Sequence, residues 1–110
     1  MRTVEIIIVA VSDQQKAKEF YLRIGFQLLV EAPADHGLTW IQMGLPGQPT
    51  SIALMNFQGI IIETADIEQE IQELNTKGVE VGKIDDQPWG RFAWFKDPDG
   101  NGLCLHQKPL

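Results

Sequence analysis

The chain has 110 residues, a usual size for one domain and long enough to bury a core without disulfide staples. Its hydrophobic fraction of 44% and charged fraction of 22% are those of a globular protein. The net charge of −6 excludes nucleic acid as an expected partner, because a phosphate backbone is held through a basic surface, and leaves a neutral or cationic small ligand open. The single cysteine, Cys104, has no partner for an internal disulfide, which points to a cytoplasmic chain. No signal peptide is expected, and the apolar run Ile6 to Val11 is too short to span a bilayer, so no membrane partner is expected either.

Val4 to Val11 is rich in β-branched residues and predicts a buried strand. Ser12-Asp13 offers a helix N-cap, and Ala17, Phe20, Tyr21 and Ile24 follow at helical spacing until Gly25, placed for a left-handed stop. Strands are predicted over Phe26 to Val30, Leu38 to Met43 and Thr50 to Met55, with turn chemistry from Gly44 to Pro49 between the last two. His36, in the polar stretch Pro33 to Gly37, is expected on a surface loop. The pattern then restarts. Gly59 to Thr64 predicts a strand, and Asp66 with Gln69 three residues on is close to a capping box. Ile67, Ile71 and Leu74 mark a helix closed by Gly78. Val79 to Val81, Gly90 to Lys96 and Gly102 to Gln107 are the last three predicted strands.

The two helical stretches, Asp13 to Gly25 and Asp66 to Gly78, are equally long. The chain therefore reads as one α+β domain over residues 1–110, a β-α-β-β-β module written twice, with module one at 1–56 and module two at 57–110. Only Asn56-Phe57-Gln58 join the modules.

Val9-Ala10-Val11-Ser12-Asp13, the helix with Ala17, Phe20 and Tyr21, and Ile24-Gly25-Phe26 form one half of a resemblance. Gln87-Pro88-Trp89-Gly90-Arg91-Phe92 and Phe95-Lys96-Asp97-Pro98-Asp99-Gly100-Asn101 form the other. Together they resemble the vicinal-oxygen-chelate superfamily, the group of glyoxalases, bleomycin-resistance proteins and extradiol dioxygenases. The resemblance implies two β-α-β-β-β modules forming a curved mixed-sheet cup, a ligand or substrate inside it, and a homodimer. A short link between the modules departs from the family pattern. Asp97 to Gly102 also matches the first half of an EF-hand loop, but Lys108 stands where the bidentate carboxylate belongs. Asp-Pro-Asp-Gly is therefore expected to be a turn.

Metal-using members that this chain resembles place a histidine on the first strand of each module and a glutamate on the last. Those positions fall here on Ile6, Ala53, Gly59 and Cys104. Three of the four have no side-chain donor, and one cysteine does not hold a divalent ion unaided. No metal and no cofactor are expected. Strand alternation leaves room for a rebuilt Cys104, His106 and Glu63 cluster, with Trp94 opposite Cys104 and Phe92 opposite His106.

Candidate ligand-binding residues are Ile8, Trp40, Gln42, Glu63, Trp89, Phe92, Trp94, Cys104 and His106; catalytic residues are not identifiable. The inferred inner face also takes Ile6, while Ile7, Val9, Ile60 and Ile62 are expected toward the helices. An aromatic set with a few polar groups suits a small-molecule pocket, and equally suits the packed interior of a small curved sheet. Three readings stay open. One is a binding protein for an aromatic or cationic small molecule, in the manner of bleomycin-resistance proteins. The second is a glyoxalase- or dioxygenase-like enzyme whose metal site is non-standard or absent. The third is a structural or regulatory dimer whose cup is filled by its own side chains.

Overall fold

A computed structural model describes residues 1–109 and has the α+β architecture of two β-α-β-β-β modules. Its contacts group into two compact units, Ile6–Gln58 and Met1–Glu5 with the residues from Gly59 onward. The eight strands are β1 (Thr3–Ala10), β2 (Gln27–Pro33), β3 (Thr39–Gly44), β4 (Ser51–Met55), β5 (Gly59–Glu63), β6 (Asp85–Gln87), β7 (Gly90–Lys96) and β8 (Gly102–Gln107). The two helices are α1 (Gln14–Ile24), between β1 and β2, and α2 (Ile67–Thr76), between β5 and β6.

In the unit Ile6–Gln58, β1 pairs parallel with β4, β4 antiparallel with β3, and β3 antiparallel with β2. Alternation along the strands sends Ile41, Met43 and Leu54 toward α1, where Val9, Ala17, Tyr21, Phe26 and Ile52 complete a core. The opposite face carries Trp40, Gln42, Ala53 and Ile8, with Gln42, Ala53 and Ile8 in one cross-strand row. Asp13 caps α1 by accepting from the Lys16 N–H at 3.1 Å, and Gly25 ends it at φ 116°, where a side chain would be strained. The helix departs from the predicted stripe, however. Ala17 and Tyr21 reach the core, but Phe20 and Ile24 point to the surface. Strand β2 begins at Gln27 and runs past Val30 to Pro33, with an irregularity at Leu29 that brings its side chain over Gly44. His36 is exposed in a single 3-10 turn, Asp35–Gly37, at φ 60°.

The other unit repeats the topology, with β5 parallel to β8, β8 antiparallel to β7, and β7 antiparallel to β6. Ile67, Leu74, Ala93 and Leu105 form the core under α2. Asp66 accepts from the Gln69 N–H, but the capping box is half made. The Gln69 side chain turns to Glu73, the Asp66 N–H donates instead to Thr64 Oγ1 at 3.4 Å, and the Ile67 N–H donates to Gln107 Oε1 at 2.9 Å. The sixth strand is not Val79 to Val81. Those valines pack beneath α2 with Ile84, and pairing to β7 begins only with Gly82 N–H to Trp94 O, continuing at Asp85–Gln87. Between β7 and β8 the Asp97 carboxylate accepts from the N–H of Asp99 and from the N–H and side-chain amide of Asn101. Those bonds, Asn101 first, hold it below its usual pKa, and they make the segment a turn. Among the described residues no helix is long and apolar enough to cross a membrane.

Candidate functional site

The register of the second unit assembles two cross-strand rows on the face away from α2. One runs Asp85, Phe92, His106, Glu63 across β6, β7, β8 and β5. The neighbouring row is Trp94, Cys104, Ile61. The expected pairings of Trp94 with Cys104 and of Phe92 with His106 are those found. Five of the nine candidate residues thus share one surface, because β7 and β8 alternate in step across a tight turn. Trp89 sits beside them in the Pro88-Trp89 turn between β6 and β7, and is 62% exposed. Trp40, Gln42 and Ile8 share a face of the other unit, where Trp40 Nε1 donates to Gln42 Oε1 at 3.0 Å and Gln42 Nε2 donates to Ser51 Oγ at 2.8 Å.

The rebuilt Cys104, His106 and Glu63 cluster does not form. Cys104 is fully buried, its thiol contacts the Leu105 carbonyl, and burial pushes its pKa up to about 12. A thiol that stays protonated is a poor nucleophile and a poor ligand. Glu63 Oε2 accepts from Lys108 Nζ at 2.9 Å, and that bond holds the carboxyl below its ordinary pKa. His106 is turned to other partners, Glu5 Oε1 at 2.8 Å from Nδ1 and Trp89 O at 3.1 Å from Nε2. With both ring nitrogens engaged, the imidazole has no free lone pair with which to act as a general base. No group of three or more His, Cys, Asp or Glu side chains able to hold a metal occurs among the described residues.

The family's metal positions do not fit a metal in this chain. Ile6 and Ala53 offer hydrocarbon, and Cys104 is the buried thiol just described. At Gly59 a Cβ would come within 3.4 Å of the Trp94 indole and 3.2 Å of the Gly102 carbonyl. Where the family places a histidine on the second module's first strand, this chain lays the Trp94 ring. The residue is 41% exposed, so it is accessible as well as packed.

Glu5 is the partner that reading the sequence missed. It lies in the strand read as buried and rich in β-branched residues, and a lone carboxylate among them was the available signal. Two surface grooves lie away from the shared face. One, of about 250 Å³, runs beside the start of α2 from Arg2 to Glu73; the other, of about 480 Å³, lies between Val79 and the Asp97 turn. Neither contains a candidate residue.

Residues 3–105 match the model of the Glyoxalase/Bleomycin resistance protein/Dioxygenase superfamily, and the chain belongs to that family. It is 30% identical to the uncharacterized protein YetH of Bacillus subtilis over 119 residues, covering 97% of this chain and 99% of that protein. Methylmalonyl-CoA epimerase from Mycobacterium tuberculosis is similar in fold, with a TM-score of 0.83 at 18% identity over 96% of this chain and 87% of its own. An antibiotic binding protein from Streptomyces sp. CB03234 is 37% identical over 99% of this chain and 98% of its own, with a TM-score of 0.47.

Proposed function

We propose that the chain is a small-molecule-binding protein that works without the metal of its superfamily, and that it takes a planar, aromatic or cationic ligand on the face carrying Trp94 and Phe92. The observation that carries this reading is the Trp94 indole lying over Gly59, a family metal position, while 41% of the residue stays exposed. An indole in that place offers a stacking surface, and stacking is tolerant of ligand identity. The row Asp85, Phe92, His106, Glu63 adds the Asp85 carboxylate beside the Phe92 ring; it accepts from the neutral Gln87 amide and keeps its charge for a cationic ligand, whereas Glu63 is paired with Lys108. Placement in the cytoplasm and assembly as a homodimer belong to the same proposal, the latter supported by exposed Phe20 and Ile24 one turn apart on α1.

The test is fluorescence titration with ethidium, a planar aromatic cation, on the wild type and on Trp94→Ala. The variant should bind roughly 30- to 1000-fold more weakly, the range of an aromatic anchor worth about 2–4 kcal/mol. Its denaturation midpoint should move little, because the ring is not sealed in a core. Unchanged affinity, or a stability loss of about 3–5 kcal/mol typical of a buried aromatic, would count against the reading.

A further inference from the structure

We propose that His106 is held as an imidazolium that clasps the Pro88-Trp89 turn to its own sheet, and is thereby the positioning residue for the exposed Trp89 indole. The acceptors decide the charge. Glu5 Oε1, 2.8 Å from Nδ1, belongs to a carboxylate, and Trp89 O, 3.1 Å from Nε2, to a backbone carbonyl. Both have only lone pairs to offer, so both ring nitrogens must carry hydrogen. A neutral imidazole carries one.

The surroundings favour the cation. Burial, to 8% exposed, opposes the charge, but the ring lies flat on Phe92 with centroids 4.4 Å apart and planes 2° from parallel, and carboxylates stand around it. The titratable groups on its side of the sheet are Glu5 from β1, Glu63 from β5, Asp85 from β6 beyond Phe92, Cys104 on β8 itself, and Lys108 just past it. Three carboxylates thus stand against the Lys108 ammonium, already bonded to Glu63, and the Arg2 guanidinium, whose charge also acts on Glu63.

Gly90 is what lets the ring come so close. A Cβ there would collide with His106 Nε2 and the Gln107 carbonyl, and its φ of 139° is one that glycine tolerates. Trp89-Gly90 and His106 are therefore one unit of structure, far apart in sequence. A single ring ties the start of β1, the β6–β7 turn and β8 together. The use of Trp89 by a ligand rests on the proposed function, but the clasp does not, and its test uses no ligand.

The experiment is nitrogen-15 spectroscopy of the whole chain at pH 7, with amide hydrogen exchange on the wild type, His106→Gln and Glu5→Gln. The wild type should show both His106 ring nitrogens protonated, and Glu5→Gln only one. Exchange at Trp89, Gly90 and Arg91 should quicken about tenfold or more in His106→Gln, as expected from losing a hydrogen bond to a charged group, while α2 amides keep their protection. A wild-type ring with one protonated nitrogen would overturn the proposal even if His106→Gln does not fold. So would turn amides that exchange at the same rate in a folded His106→Gln.

Discussion

Burial lowers the pKa of a histidine, and at His106 it is the largest single influence. Together, the Glu5 hydrogen bond, the Trp89 carbonyl and the Glu5 charge outweigh it, so the net shift is upward from the usual value. A pKa raised by folding means that the native state binds the proton more tightly than the unfolded chain does. The resulting stabilisation is complete below about pH 6.5, the unfolded value, and is lost as pH rises through the higher native one. Urea midpoints measured between pH 6 and pH 9 should therefore fall with rising pH in the wild type. The slope should flatten in Glu5→Gln, where the main upward influence is gone. Equal slopes in the two proteins would show that His106 does not titrate as described. His106 was legible as a candidate from alternation alone, but its partners were not. Glu5 lies at the other end of the chain, and sequence spacing does not report which strand ends meet.

At the scale of elements, the helix ends were the most legible parts of the sequence because their chemistry is local. Asp13 and Asp66 accept from Lys16 and Gln69 N–H groups, both at 3.1 Å, and Gly25 and Gly78 close the two helices. Asp13→Ala and Asp66→Ala should each cost about 1 kcal/mol, read as a shift in denaturation midpoint at an unchanged slope. A smaller loss at Asp66 would mean that Gln107, which meets the Ile67 N–H, carries the cap alone. The sixth strand was misread because Val79 and Val81 are apolar for a different reason, which is to fill the space under α2. Asp85, Asp86 and Gln87 have poor strand propensity, and their pairing with β7 is imposed by the tight Pro88-Trp89 turn and Gly90. Tertiary context decided that element. The same holds on α1, where Phe20 and Ile24 fit an apolar helical stripe by spacing but lie outside the sector that the sheet covers.

For the whole molecule, surface as well as core needs an explanation. Phe20, Leu22 and Ile24 on α1 and Leu28, Leu29 and Val30 on β2 are all exposed, and apolar side chains grouped on neighbouring elements invite a partner. A two-fold dimer burying more than about 1,000 Å² in total would cover such surface. Light scattering at tens of micromolar should give twice the chain mass, and a monomer there would contradict it. The α+β repeat could be read along the sequence because both modules use the same order of periodicities, and the superfamily match and the epimerase-like fold agree with it. What a repeat leaves open is chemistry, since a shared fold hosts many functions. Here the departures from the family pattern carry the functional reading, with hydrocarbon at Ile6 and Ala53, an indole over Gly59 and a protonated thiol at Cys104.

The most direct measurement of that reading is native mass spectrometry after incubation with zinc, nickel, manganese or iron(II) and desalting. A ligand that binds only the folded state at these concentrations would also raise the melting temperature, so the same samples provide a second readout. The account predicts a mass of whole chains with no metal added, with or without an organic adduct, and an unchanged melting temperature. One metal ion retained per chain, with a rise in melting temperature, would contradict it.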